Sequence, residues 1–409
     1  MSQHKVLLVA VMATAIAASG AVGAQLNFGG DIGFVLFDVS SGSGSAPVWD
    51  GKDSVTGNWV EGPFGDTTGR VNSYLMSHGV GLYFNVQLND NVSINVLADC
   101  GGTGTGATPS LGKKLGTQQG TGTLKAISFP EANMSVMLPW QVQMTTGVIR
   151  PIFSEDYGEK KSYQEHNRMH KSSANGYGGE WHDLGIELYK SFEPGGGLSI
   201  PAYAYLMAGE QMIGDDNSNK SLLFHVAPSL WKLRVLGSYG FGKEGADGEL
   251  EPWSRYAVGL GGDFGLVYFR TEFFGGSWDG VTVYNEANKD STGKILPSTY
   301  TRKPTAYYVT AGVNIIPDKL GFNLVYDQSN SDWTTWGKIG RGLNTTKERG
   351  RSTTDATESY TTIGATIQYW VIPGSALMLE YNRGMWKVGD GKWSELNFNR
   401  VTLGWRTVF

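Results

Sequence analysis

The chain has 409 residues, 58 of them glycine, with 12% aromatic and 17% charged residues and a formal net charge of −5. Its single cysteine, Cys100, excludes an intramolecular disulfide and the paired-cysteine motifs of zinc ribbons and haem attachment. The mild negative charge argues against a nucleic-acid protein.

Lys5 precedes the apolar run "VLLVAVMATAIAA", and "AVGA" closes it. A charged start, an apolar stretch and the small-residue site Val22-Gly23-Ala24 predict a secretory signal peptide over residues 1–24. The run is short for a membrane anchor and lacks a charged stop-transfer flank. The expected mature chain is one domain, residues 25–409. Cleavage would remove Lys5 and no acid, moving the formal charge from −5 to −6. No later stretch is apolar enough for a membrane helix.

From there the dominant signal is alternation with a period of two. In "YLMSHGVGLYFNVQL", Tyr74, Met76, Val80, Leu82, Phe84, Val86 and Leu88 share one face. Ser77, Gly79, Gly81, Asn85 and Gln87 share the other, and His78 is a blemish on the apolar one. Such segments lie near 26–38, 73–88, 91–100, 123–138, 140–149, 181–192, 198–208, 221–227, 231–242, 253–263, 266–275, 304–316, 320–328, 359–371, 376–384 and 398–409. They predict about sixteen strands.

The gaps alternate in length. "LNDNV", "LPWQ", "FEPGGGL", "APSLW", "FGL", "IPDKL" and "IPGSA" are tight turns. The others, near 39–72, 101–122, 150–180, 209–220, 243–252, 276–303, 329–358 and 385–397, are long and polar. Short turns at one end and long loops at the other describe an all-β, transmembrane, antiparallel up-and-down β-barrel, with short periplasmic turns and long extracellular loops. The lumen of so many strands is too wide for side chains to fill. Apolar residues then face out and small polar ones face in, and closure pairs every backbone group as hydrocarbon demands. Trp140, Phe192, Trp231 and Trp405 near the turns, and Tyr239, Phe241 and Tyr256 near the loops, are placed as two interfacial girdles.

The closing stretch "NRVTLGWRTVF" puts Val401, Leu403, Trp405, Thr407 and Phe409 at every second position. With the signal peptide and the repeated amphipathic strands, this aromatic-terminated strand resembles that of a Gram-negative outer-membrane porin. The resemblance covers the mature chain in architecture and identifies no subfamily. It implies a pore for passive diffusion of small hydrophilic solutes and ions. It also implies an assembly signal in Val401, Leu403, Trp405 and Phe409 read by the barrel-assembly machinery. Thr407 departs from the apolar residue often found there. The implied setting is the cell outer membrane, in contact with its lipid, often as a homotrimer. The third outer loop often folds inward.

The third long gap fits that constriction in order and length. It carries Glu155, Asp156, Glu159, Lys160, Lys161, Glu165 and Arg168, charges that would set a local field in a narrow lumen. Strand parity turns Lys232, Arg234, Arg255 and Arg270 inward from three successive strands, and Arg400 and Arg406 from the last. Asp31, Asp99, Glu131, Asp183, Glu187, Asp263, Glu272, Asp327 and Glu380 also face in. A basic wall opposite acids gives a field across the pore; the same charges could instead pair as struts, as Arg270 could with Glu272.

No cofactor, metal or catalytic residue is expected. His166 and His170 are four apart, but Asn167 stands where the zinc hydrolase pattern needs Glu. "GATPSLGKKL" fails as a phosphate loop, and no helix follows "GGTGTG". Competing readings are a sheath around a periplasmic or surface partner such as an electron-transfer cytochrome, an oxyanion-selective pore and an outer-membrane hydrolase. The sheath has no haem motif of its own. The interior acids argue against strong anion selectivity, and no nucleophile elbow supports the hydrolase.

Overall fold

The computed structural model describes residues 25–45, 48–52, 59–62, 67–72, 76–100, 128–154, 183–208, 219–244, 251–289, 295–330, 358–388 and 394–408. Nineteen strands form its main sheet. Sixteen of them make a wall, numbered here in chain order. These are β1 (Gln25–Ser45), β2 (Met76–Asn89), β3 (Val92–Cys100), β4 (Ser128–Leu138), β5 (Val142–Ile149), β6 (Asp183–Gly195), β7 (Leu198–Met207) and β8 (Ser221–Val226). They continue as β9 (Leu233–Glu244), β10 (Glu251–Asp263), β11 (Val267–Lys289), β12 (Thr305–Ile316), β13 (Leu320–Asn330), β14 (Glu358–Ile372), β15 (Ser375–Val388) and β16 (Ser394–Val408).

The other three are additions: Thr67–Asn72 on β1, Ser229–Leu230 continuing β8, and Ile295–Arg302 on an extension of β11. Val48–Lys52 and Trp59–Gly62 form a separate hairpin. Each wall strand pairs antiparallel with the next, and β1 pairs with both β2 and β16. That double pairing closes the ring, so no wall strand is left as an edge. All sixteen alternating segments of the sequence correspond to wall strands.

The connections at one end are turns of two or three residues. Asp90–Asn91 is held by the Asn91 amide donating to Asn89 Oδ1 at 2.9 Å. Gly196–Gly197 and Pro373–Gly374 use glycines at positive φ. Trp140 and Trp231 take left-handed φ values of 61° and 55° and stand 83% and 82% exposed at this rim. The strand-to-strand gaps at the opposite end are the long ones.

Burial separates the two faces. Leu184, Ile186 and Leu188 on β6, Phe224 and Val226 on β8, Val258 and Leu260 on β10, and Ile363 and Ile367 on β14 are exposed. Their neighbours Asp183, His225, Ala257, Thr362 and Thr366 are buried. Along these stretches the large apolar side chains therefore point out of the ring and the small, polar and charged ones point in.

Candidate functional site

The inner wall gathers the charges. Arg234, Arg255 and Arg270 come from the successive strands β9, β10 and β11. Gly261 sits between Arg234 and Arg270 in the pairing register, and Arg255 lies between Gly240 and Gly276. Glycine at those cross-strand positions leaves room for long guanidinium side chains on a shared face. The Arg255 guanidinium lies over the Trp253 ring at 4.9 Å, a cation–π contact.

Glu272 and Asp327 are each opposite Tyr308 in register, and Glu380 is opposite Thr366 and Thr402. Glu131, Asp183, Glu272, Asp327 and Glu380 are all buried. Thr366 and Asn382 both donate to Glu380, Thr366 at 3.4 Å to Oε2. None of Asp183, Glu187, Arg234, Arg255, Arg270, Glu272, Asp327, Glu380, Arg400 and Arg406 is free; each engages a neighbour. Buried charges require such partners, because leaving water costs more than a lone ion can recover.

Two placements differ from the sequence expectation. Lys232 is not on the wall. It occupies the exposed turn between the paired residues Leu230 and Leu233, which Trp231 enters with a left-handed φ. Asp263 sits exposed at the end of β10 and accepts the Gly265 amide at 2.8 Å, capping the turn. The side chains of Asp31 and Asp99, residues 155–182 with the constriction candidates and both histidines, Phe409 and residues 1–24 lie outside what is described.

The interior is also not uniformly polar. Ile149, Met207, Leu223, Trp253, Phe274 and Tyr308 come from β5, β7, β8, β10, β11 and β12 and join one buried apolar cluster. The start of the third long segment packs into it. Phe153 is 2% exposed and Ser154 fully buried. The Phe153 ring lies 6.4 Å from that of Phe274, which is 6.3 Å from that of Tyr308. The chain leaving β5 therefore turns inward over the wall instead of rising from the rim.

No family model and no curated protein matches the chain. Solved structures do. The outer membrane channel DcaP of Acinetobacter baumannii is similar at a TM-score of 0.55 and 14% identity, over 94% of this chain and 97% of that one. An anion-selective porin from Comamonas acidovorans is similar at 0.53 and 12%, over 94% and 100%. The in-vitro folded trimer form of OmpT, an outer membrane protein of Vibrio cholerae, is similar at 0.54 and 12%, over 94% and 99%. The fold is that of an outer-membrane porin.

In this porin barrel, the last strand completes the ring. Val401, Leu403 and Trp405 point outward, while buried Thr402 and Gly404 alternate with them on the inner face. Thr407 has a use that the sequence pattern does not show. It accepts the Trp405 indole N–H at 2.9 Å and lies 2.8 Å from the Ser375 hydroxyl on β15. The polar residue in an apolar series therefore links the indole to the neighbouring strand.

Proposed function

We propose that the chain forms a water-filled pore in an outer membrane, through which small hydrophilic solutes and ions diffuse passively. The observation that carries this is the closed ring with an exposed apolar outer face and a charged inner one. In water an apolar surface of that extent drives association. In hydrocarbon it is the low-energy arrangement, and closure leaves no backbone edge unpaired. The reading is of a conduit, with no chemical step assigned to it.

The third long segment is read as the constriction because its first residues, 150–154, already turn inward onto the apolar cluster. Glu155, Asp156, Glu159, Lys160, Lys161, Glu165 and Arg168 follow directly in the sequence and supply the charges of the constriction in this reading. With Arg234, Arg255 and Arg270 on one side and acids along β11 to β15, both signs of ion pass, with a bias set by the local field. Removal of residues 1–24, recognition of the last strand through Val401, Leu403, Trp405 and Phe409, and assembly as a homotrimer complete the reading. The trimer form of OmpT supports the last of these.

Reconstitution of the purified mature protein in planar bilayers tests the proposal. Ohmic current steps with a measurable cation/anion permeability ratio are expected. Electrical silence of correctly folded protein overturns it.

A further inference from the structure

On the inner face of β1 to β5 a row of side-chain amides runs around the wall. Asn27 Nδ2 donates to Asn85 Oδ1 at 3.1 Å, Asn85 Nδ2 to Asn95 Oδ1 at 2.7 Å, and Asn95 Nδ2 to Asn133 Oδ1 at 3.2 Å. Asn133 Nδ2 ends the row on the backbone carbonyl of Val148 at 3.2 Å, and Gln25 donates into its start at Asn27 Oδ1, 3.1 Å. The final acceptor sets the direction of the whole row. A carbonyl can only accept, so Asn133 must present its NH2, and each amide before it must do the same.

Each carboxamide has two N–H donors and two lone pairs, and the row consumes one of each. One donor and one acceptor remain on every member. Asn27 is exposed and Asn85, Asn95 and Asn133 are half-buried, so these leftover groups can be reached from the interior. From the row to the turns, the inward side chains of these strands include Gln87, Ser93, Ser135, Gln143 and Thr145, and none described there is charged. Charge resumes on the other side of the row, at Glu131 on β4 and at Arg406, which pairs opposite Gly33 of β1. The basic cluster lies across the ring, since β3, which carries Asn95, stands eight strands from β11, which carries Arg270 and Glu272.

We propose that the amides of Asn27, Asn85, Asn95 and Asn133 are a binding rail for neutral polyhydroxylated solutes such as sugars, an inference that rests on the pore reading. A donor beside an acceptor matches a hydroxyl pair, since each hydroxyl both gives and takes a hydrogen bond. Successive members are set by the strand spacing, about 4.8 Å, so one sugar-sized molecule meets two amides at once. Exchange of water for a hydroxyl at an amide is nearly even in free energy. Binding is therefore weak and reversible, which conduction through a pore requires. An uncharged solute gains nothing from the far wall and something from this one.

The test is single-channel recording of the full mature protein with sucrose, against a polyethylene glycol of matched hydrodynamic radius. The polymer has acceptors but no donors along its length. Sucrose is expected to interrupt the wild-type potassium current with a concentration dependence that saturates, and the polymer to act without saturation. Asn85→Leu with Asn95→Leu should raise the half-saturating sucrose concentration roughly tenfold, the loss expected for one or two hydrogen bonds. If that pair does not fold, Asn85→Ser with Asn95→Ser breaks the row with less burden and should move the value in the same direction. Half-saturation unchanged in a folded variant overturns the rail. A conducting wild type that responds alike to sucrose and polymer sinks this inference alone, whereas a wild type that passes no current sinks the pore reading with it.

Discussion

The backbone amide of Ile152 donates to the Tyr205 hydroxyl at 3.2 Å. The two residues are 53 apart in sequence. The bond fastens the start of the third long segment to the inner face of β7, one residue before Phe153 enters the apolar cluster. Polar and apolar contacts thus hold the same short stretch.

Tyr205→Phe removes the bond and keeps the ring. The expected cost is about 0.5–1.5 kcal/mol, seen as more frequent current flicker at nearly unchanged mean conductance. Phe153→Ala removes the apolar anchor itself and should enlarge the conductance, because the root of the segment no longer packs against Phe274. Identical conductance and noise in both variants would show that residues 150–154 do not position the constriction.

The basic wall has a separate readout. Arg234→Ser, Arg255→Ser and Arg270→Ser together should shift the permeability ratio severalfold toward cations, measured as the reversal potential under a potassium chloride gradient. The shift should shrink at high salt, since screening shortens the reach of fixed charges. A reversal potential that stays at its wild-type value means the guanidinium groups do not face the conducting path.

Gly147 has φ 125°, and a Cβ there would meet the Ala132 carbonyl oxygen at 2.4 Å. It also lies opposite Asn133, whose amide passes over it to Val148. Gly147→Ala should destabilise the barrel by ~1–3 kcal/mol through backbone strain, before counting the clash. Urea unfolding in detergent micelles gives the number; an unshifted midpoint contradicts the strained geometry.

Thr407→Val keeps the shape of the side chain but removes both polar contacts of the closing strand. A loss of about 1–2 kcal/mol is expected. The same unfolding measurement applies. Full wild-type stability would mean that the Trp405–Thr407–Ser375 link carries no weight.

Arg234, Arg255 and Arg270 each lie in a strand whose alternation is clear in the sequence. Arg255 shares a face with Trp253 and Ala257, and the outward Tyr256 and Val258 mark the other. Lys232 was misplaced by one local event: alternation runs on through Trp231 and Leu233, and nothing in the period shows that Trp231 leaves the extended region. The apolar interior cluster was missed for a different reason. Phe274, Tyr308 and Met207 stand on the face that is elsewhere polar, and what buries them arrives from another part of the chain.

The sequence by itself determined the strands, their two faces and the alternation of short and long connections. Those properties are local: a period of two is written in consecutive residues, and a turn is written in the few that make it. Only the tertiary structure decided which residues of different strands form a row. Asn27 and Asn85 are 58 positions apart, and the pairing register around a closed ring, not any pattern along the chain, brings their amides together.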